Sequence, residues 1–549
     1  MPRLVLVLFC LAYLVPGFVG RNAWKGADIA SLGWMASLAE GSADWFHPSL
    51  AGIQPEYPSL LPYWLGAIAL QWCPPWLPAD FAVRLPFALL LLLTMLTTWF
   101  ASYYLARNPR AQPVAFAFGG EPPPAAYASA MADGALLALI ASLGLAQLAH
   151  ETTPALAQIG FSGLLLFSLA ALPWQPYRAQ IGAWLALLGL TLCGAPAMAL
   201  LFAVGGVVSL WLDTTDRAGQ TPDAVQRQTG AVLLGATLAA AIGWKFDLWR
   251  WKVVLPQAHW SDLEGYLELL IWFTWPAWPL AIWTAWRWRK QWFQAAPSRH
   301  LLLPLWFVGV TLCTTLMGSG SDRTLLLALP ALATLAAFAL PTLKRQVASL
   351  IDWFTLLFFS GCGLTIWVVW IAMVTGFPSE PSANVARLAP GFTAHFSFFA
   401  FAPAVLATLV WAWLVKWRVG RHRAAIWKSL VLPAGGAALC WLLLMTLWMP
   451  LLDFAQSYNR LVENSLASMS PAGCVEVQNL GAGKVAAFHF YGGVSLKPVD
   501  TEPQCPWLMA EPDAEGNPPA GIDMHRWTLL AAVRHPTDGN ENLLLFKRH

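Results

Sequence analysis

The 549-residue chain is 58% hydrophobic and only 11% charged, with 33 Trp and 29 Phe, whereas an ordinary soluble domain is about one quarter charged. That much apolar side chain cannot be hidden in a water-soluble core of this size, so the surplus must face lipid, and a soluble enzyme or a disordered chain is excluded. A formal net charge of +3 is too small for a polyanionic partner, which excludes a nucleic-acid binder.

Apolar runs near the ~20 residues that span hydrocarbon lie at 4–20, 85–105, 134–150, 154–173, 180–194, 196–212, 229–246, 265–286, 300–317, 324–341, 350–374, 396–415 and 429–449. These predict thirteen spans, and the long run 180–212 is divided by Gly194 and Pro196. The first run resembles a signal-peptide core but has no small-x-small cleavage site before Arg21, so it reads as an anchor. With the N-terminus inside, seventeen Lys and Arg residues fall in the inner segments against eight in the outer loops, which fixes the orientation by the positive-inside rule. An odd number of crossings then places the tail outside. The expected division is a membrane domain, 1–449, with a long external loop at 21–84, and an external tail domain, 450–549.

The external loop opens with the stretch Asp28–Leu38, whose Leu32, Met35 and Ala36, continued by Ala39, suit a helix lying along the membrane interface. Ser59–Trp72 is similar, with Trp64 and Trp72 at interfacial depth. Asn108–Asp133, rich in Pro and Ala, reads as an inner loop, with Asp133 as a helix cap. In the tail, the runs Lys484–Tyr491, Trp527–Val533 and Leu543–Phe546, separated by Pro and Gly, predict strands. Cys474 and Cys505 both lie in that tail, where a disulfide between them is chemically allowed. The other six cysteines sit singly in or beside apolar runs and behave as small apolar residues.

Charged groups near a membrane are costly to bury and therefore informative. The outer acidic residues are Asp28, Glu40, Asp44, Glu56, Asp80 and Glu151, and the outer basic and polar ones include Arg84, Arg250, Lys252, His259 and Arg323. A carboxylate base, a second carboxylate for a metal and a set of cations are what transfer from an anionic lipid phosphate requires. Each residue also has a plainer reading. Asp28 is placed to cap a helix, which contributes ~1 kcal/mol. Glu56, between Pro55 and Pro58, sits in a turn, and Asp44 is a turn or cap residue before Trp45. Glu151 with His150 is a polar pair at a membrane exit, and Arg84 anchors a span end. Arg250, Lys252 and His259 lie among Trp249, Trp251 and Trp260, as in an aromatic belt.

The order of residues in the first loop sharpens the choice. Gly26-Ala27-Asp28-Ile29-Ala30, Gly41-Ser42-Ala43-Asp44-Trp45, Pro55-Glu56-Tyr57-Pro58-Ser59-Leu60-Leu61-Pro62-Tyr63-Trp64 and Val83-Arg84-Leu85-Pro86 follow one another in it. This series resembles the first periplasmic loop of the bacterial aminoarabinose–lipid A transferases and their protein O-mannosyltransferase relatives, lipid-linked-sugar glycosyltransferases of the GT-C superfamily. Ser321-Asp322-Arg323 through Leu329-Pro330 is similar to the family's entrance to a late span. The resemblance implies an all-α polytopic membrane protein of about thirteen transmembrane helices of GT-C type, with a small α/β periplasmic domain at its C-terminus.

The resemblance also implies an activity: an inner-membrane enzyme moving a sugar from a polyprenyl-phosphate donor to lipid A, another envelope lipid or glycan, or a protein. It makes Asp28 the general base for the acceptor and places Glu56 beside a metal or the phosphate. Glu56 and Glu151 are then the candidate ligands of a divalent metal. The chain departs from the family pattern in carrying Asp28-Ile29 for Asp-Glu, Glu56-Tyr57 for Glu-Lys and Cys193-Gly194 for Lys-Gly. Two lysines facing the lipid phosphate are thus absent. Either Arg84, Arg250, Lys252 and Arg323, with Tyr57, take over the donor phosphate, or a metal holds it, or catalysis is impaired. In the last case the chain is a catalytically degenerate scaffold or a lipid-binding protein. A transporter would carry paired charges at mid-membrane, and these spans hold almost none.

Overall fold

The computed structural model of the protein describes residues 1–112, 122–212, 221–249, 260–291, 297–317, 322–420, 426–469, 473–499, 504–513, 516–519 and 521–549. The chain begins with α1 (Arg3–Leu14), then α2 (Ala27–Ala39) and α3 (Leu61–Gln71) in the first loop, then the long α4 (Ala79–Ala106). There follow α5 (Pro124–Ala141), the single turn α6 (Leu145–Leu148), α7 (Pro154–Ala171), α8 (Pro176–Leu192), α9 (Pro196–Leu212) and α10 (Pro222–Lys245). Next come α11 (Trp260–Phe273), α12 (Ala277–Arg287), α13 (Arg299–Met317), α14 (Asp322–Leu325), α15 (Leu329–Ala339) and α16 (Arg345–Thr375). The series closes with α17 (Ser379–Leu388), α18 (Phe398–Val419), α19 (Val431–Leu447), α20 (Met449–Gln456), α21 (Asn459–Ser468) and α22 (Ala482–Phe490).

Every expected span has a helix at its place. By length and apolar composition, eight of the described helical segments can cross a membrane, and α1 and α9 are shorter apolar helices. Helices α4, α5, α7, α15 and α19 form the packed centre, whereas α16 and α18 leave large apolar side chains such as Leu357, Leu364, Leu406 and Leu409 exposed, as a lipid-facing rim requires. The long apolar run does break at Gly194 and Pro196. Gly194 takes φ +81°, and a Cβ there would lie 2.4 Å from the Pro58 carbonyl oxygen, so only glycine fits.

Five expectations change. Residues 142–150 do not continue the helix of the third span, because α5 ends at Ala141. The run 265–286 is not one helix either, since Pro276 supplies no N–H and the chain restarts at Ala277. These two breaks meet: the N–H groups of Leu143 and Gly144 donate to Trp275 and Phe273 carbonyls, at 3.1 and 2.9 Å. Each break satisfies the backbone of the other, which the membrane interior demands. Asp133 is not a cap, because α5 begins nine residues earlier; it is a buried carboxylate accepting from Trp99 Nε1 (2.9 Å), Arg3 (3.3 Å) and the Met1 amine (2.6 Å).

The fourth change concerns the tail and the fifth the first loop. Lys484–Tyr491 is not a strand but lies largely in α22. Helix α2 does not lie along an interface with one wet face; it is buried all round between α3 and α22. Small residues make this possible: a Cβ on Gly33 would come within 2.4 Å of the Ala486 Cβ, and one on Gly66 within 2.2 Å of Met35 Sδ. Gly33→Val is therefore expected to destabilise the α2–α22 contact by about 1–3 kcal/mol. Limited proteolysis should then release the tail from a variant whose membrane helices stay intact.

The tail carries a five-stranded sheet of β1 (Cys474–Gln478), β2 (Ser495–Pro498), β3 (Trp507–Ala510), β4 (Trp527–Arg534) and β5 (Asn542–Arg548), in the order β2-β1-β3-β5-β4. Strand β1 runs parallel to β2 and β3, with Val475 opposite Leu496 and Trp507, while β5 is antiparallel to β3 and β4. Cys474 and Cys505 are joined in a disulfide beside this sheet. The tail is docked on the first loop by Asn22–Asp453 (2.6 Å), Lys25–Asp538 (2.7 Å) and the Tyr491 hydroxyl, which accepts from the Ala23 N–H at 2.8 Å.

Candidate functional site

Loop 21–84, the turns at 150–153 and 193–196, residues 248–249, Thr314, the start of α14 and the start of α22 converge at one end of the molecule. These are the segments that the thirteen crossings expected from the sequence would place on a single side. They enclose a cavity of about 810 Å³. Glu56, Tyr57 and Arg323 are on its wall, together with Ser31, Thr153 and Gln158. Glu56 is exposed to the cavity and has no hydrogen-bond or ion-pair partner among the described residues.

Asp28 lies behind that wall, 1% exposed. Its carboxylate accepts from Arg21 Nη1 (2.8 Å), the Trp24 N–H (3.1 Å), and both the N–H and the hydroxyl of Thr152 (2.7 and 2.8 Å). Burial alone raises its pKa, but the Arg21 and Arg84 cations and these hydrogen bonds outweigh burial and hold it below the usual carboxylate range. With its acceptor positions taken, it is placed to hold chain segments together rather than to receive a proton from a ligand in the cavity.

Arg21 was missed by the sequence reading, where it stood only as one outer basic residue. It is buried and donates to Gly17 O (3.0 Å), Asn22 O (3.2 Å), His150 O (2.6 Å) and Asp28. Its signal in the sequence was an arginine at a span end, seven residues before Asp28. Arg84 is also buried, contacts Asp80 at 3.3 Å and does not reach the cavity.

Glu151 is likewise enclosed and pairs with Arg323 at 2.5 Å. Burial and the nearby Asp28 carboxylate push its pKa up, and Arg323 draws it back only in part. His150 beside it is pushed down to about 4, chiefly by burial, and is neutral at physiological pH. Arg323 is thus the one cationic side chain common to this charge array and the cavity wall among the described residues.

Of the two expected metal ligands, Glu56 lines the cavity and Glu151 does not. Glu151 is engaged by Arg323 away from the wall, and no group of three His, Cys, Asp or Glu able to hold a metal forms among the described residues. Arg250, Lys252 and His259 lie outside the described residues. Asp44 is the expected turn residue, accepting from His47 at 2.8 Å.

No family model and no curated protein matches the sequence. Among solved structures, ArnT from Cupriavidus metallidurans bound to undecaprenyl phosphate superposes with a TM-score of 0.60 at 16% identity, covering 99% of this chain and 98% of that one. The same protein in its apo state gives a TM-score of 0.57 at 15% identity, with the same coverage. Membrane helices, first loop and tail domain all take part in that correspondence, and the chain therefore shares its overall fold with ArnT.

Proposed function

We propose that the chain is a polyprenyl-phosphate-sugar-dependent glycosyltransferase of the bacterial inner membrane, with its N-terminus cytoplasmic and its cavity and tail periplasmic. The observation that carries this reading is the cavity of about 810 Å³, built at the loop end of a fold shared with a protein that binds undecaprenyl phosphate. The sugar and phosphate of the donor occupy the cavity, and the polyprenyl chain leaves between helices into the lipid. The acceptor oxygen, from an envelope lipid, a glycan or a protein, attacks the anomeric carbon in a single displacement. The bond from that carbon to the phosphate oxygen breaks, the proton of the acceptor passes to Glu56, and polyprenyl phosphate leaves with its charge opposed by Arg323. In this proposal the base role expected of Asp28 passes to Glu56, the carboxylate that faces the cavity. Asp28 is a positioning residue that fixes the turn at Thr152. No step is routed through a metal, since no group of three His, Cys, Asp or Glu able to hold one forms among the described residues.

The saturated hydrogen bonding of Asp28 favours a second reading, a lipid-binding scaffold without turnover. Mass spectrometry of lipid-linked sugars and envelope glycoconjugates, in cells lacking the gene and in cells rescued with it, separates the two. The enzyme reading expects a polyprenyl-phosphate sugar that accumulates without the gene and is cleared on rescue. An unchanged pool in both overturns it and leaves the scaffold.

A further inference from the structure

Arg323 is the cavity's one described cationic side chain, and it is already paired with Glu151. The backbone provides a second source of positive field. Helices α2, α7, α9 and α22 begin at the cavity, with Ala27, Ala155, Ala197 and Gly483 on its wall in their first turns. The first N–H groups of a helix have no intrahelical acceptor, and the positive end of the helix dipole collects on them. Proline opens both α7 and α9, which leaves the next N–H, of Ala155 and of Ala197, as the leading donor. The N-cap residues of α2, α7 and α22 supply no side-chain cap, and only at α22 does another side chain among the described residues stand in, Glu511 accepting from the Gly481 N–H at 3.1 Å.

A separate observation points to a ligand. Thr153 stands at the cap position of α7 with extended φ and ψ of −111° and 159°, the usual geometry for a hydroxyl that caps. Its hydroxyl does not cap. The residue is 1% exposed, it lines the cavity, and its Oγ1 has no hydrogen-bond partner among the described residues. A buried hydroxyl left unmatched beside free N–H groups is costly, and an anion accepting from both removes the cost. The preceding residue, Thr152, is the one tied to Asp28 by its N–H and hydroxyl, so the Arg21–Asp28 pair fixes where the α7 terminus sits.

We propose that this collar of helix N-termini, with the Thr153 hydroxyl inside it and Arg323 beside it, is the seat of a phosphate ester anion. It supplies a positive field through backbone N–H groups, beside the one cationic side chain on the wall among the described residues. The proposal rests on the glycosyltransferase reading for the identity of that ester, the donor's polyprenyl phosphate, but the seat itself recognises phosphate.

The test uses the full-length chain in detergent, with undecaprenyl phosphate, dodecyl phosphate, inorganic phosphate and dodecanol as probes, read by titration and by ligand-dependent thermal shift. Wild type should bind both phosphate esters and not dodecanol, with inorganic phosphate competing weakly. Thr153→Val should weaken ester binding about tenfold, the loss of one hydrogen bond to a charged group, and Thr153→Ser should restore it. Without ligand, Thr153→Val should melt no lower than wild type, since it removes an unmatched hydroxyl; a purely structural role would lower the melting temperature and spare binding. Ala197→Asp places a carboxylate in the first turn of α9, where an acidic side chain suits the helix, and should weaken ester binding at least tenfold. Ester binding that ignores both substitutions overturns the proposal and leaves the donor reading standing. Dodecyl phosphate binding that depends on Thr153, with undecaprenyl phosphate excluded, sustains the seat and overturns the polyprenyl donor. Failure of every phosphate probe to bind overturns the seat.

Discussion

Replacing Arg21 with methionine is expected to cost about 3–5 kcal/mol of stability, because it leaves the Asp28 carboxylate buried without its partner. The pair is formed at 2.8 Å with both side chains almost wholly enclosed, so little solvent screening is available to soften the loss. Arg21 also ties Gly17 and His150 to the first loop, and its removal loosens three chain segments at once. The double variant Arg21→Met/Asp28→Leu should recover much of that stability, since an apolar pair of similar volume often replaces a buried ion pair at little cost. The pH dependence has a definite sign. The folded carboxyl titrates below its unfolded value of about 3.9, so its stabilisation is complete above that pH and is lost as the pH falls through the lower folded value. Unfolding in detergent between pH 3 and pH 7 should show wild type losing stability toward the acid end and the double variant losing less. Equal melting of Arg21→Met and wild type at neutral pH would sink the structural role given to this pair.

The pair also marks where sequence reading reaches its limit. Hydropathy located the membrane helices because each is a property of one contiguous segment, and the break at Gly194 and Pro196 was legible from two local residues. The first-loop pattern from Asp28 to Arg84 pointed to the end of the molecule where the cavity lies. What a residue faces there is decided by segments far apart in the chain. Asp28 meets Thr152, 124 positions away, and Glu151 meets Arg323, 172 positions away. Nothing in either neighbourhood says that these carboxylates are engaged while Glu56 is open. Helix α22 was misread for a related reason: Lys484–Tyr491 mixes small and aromatic residues in a way that suits either structure, and the Gly33–Ala486 contact with α2 favours the helix. The helix starts at Thr153-Pro154 and Ala195-Pro196 carried a legible local signal, proline at the first helical position. Their convergence on one cavity did not.

Glu56→Gln gives the sharpest division between catalysis and scaffold. The side chain is exposed to the cavity with no described partner, so the substitution should change stability by no more than the roughly ±0.5 kcal/mol typical of surface changes. Removing the proton acceptor from a general-base step should lower turnover about 10²–10⁴-fold. Donor binding should persist, because the phosphate is held elsewhere, at Arg323 and the helix N-termini. Asp28→Asn predicts the opposite pattern: less folded protein and a lower melting temperature, with turnover per folded molecule within about tenfold of wild type. In-vitro transfer from a polyprenyl-phosphate sugar, normalised to folded protein by thermal melting, reads both variants in one experiment. If Asp28→Asn abolishes turnover at wild-type stability while Glu56→Gln keeps it, the roles are reversed, and Asp28 must leave its Arg21 and Thr152 partners during the reaction.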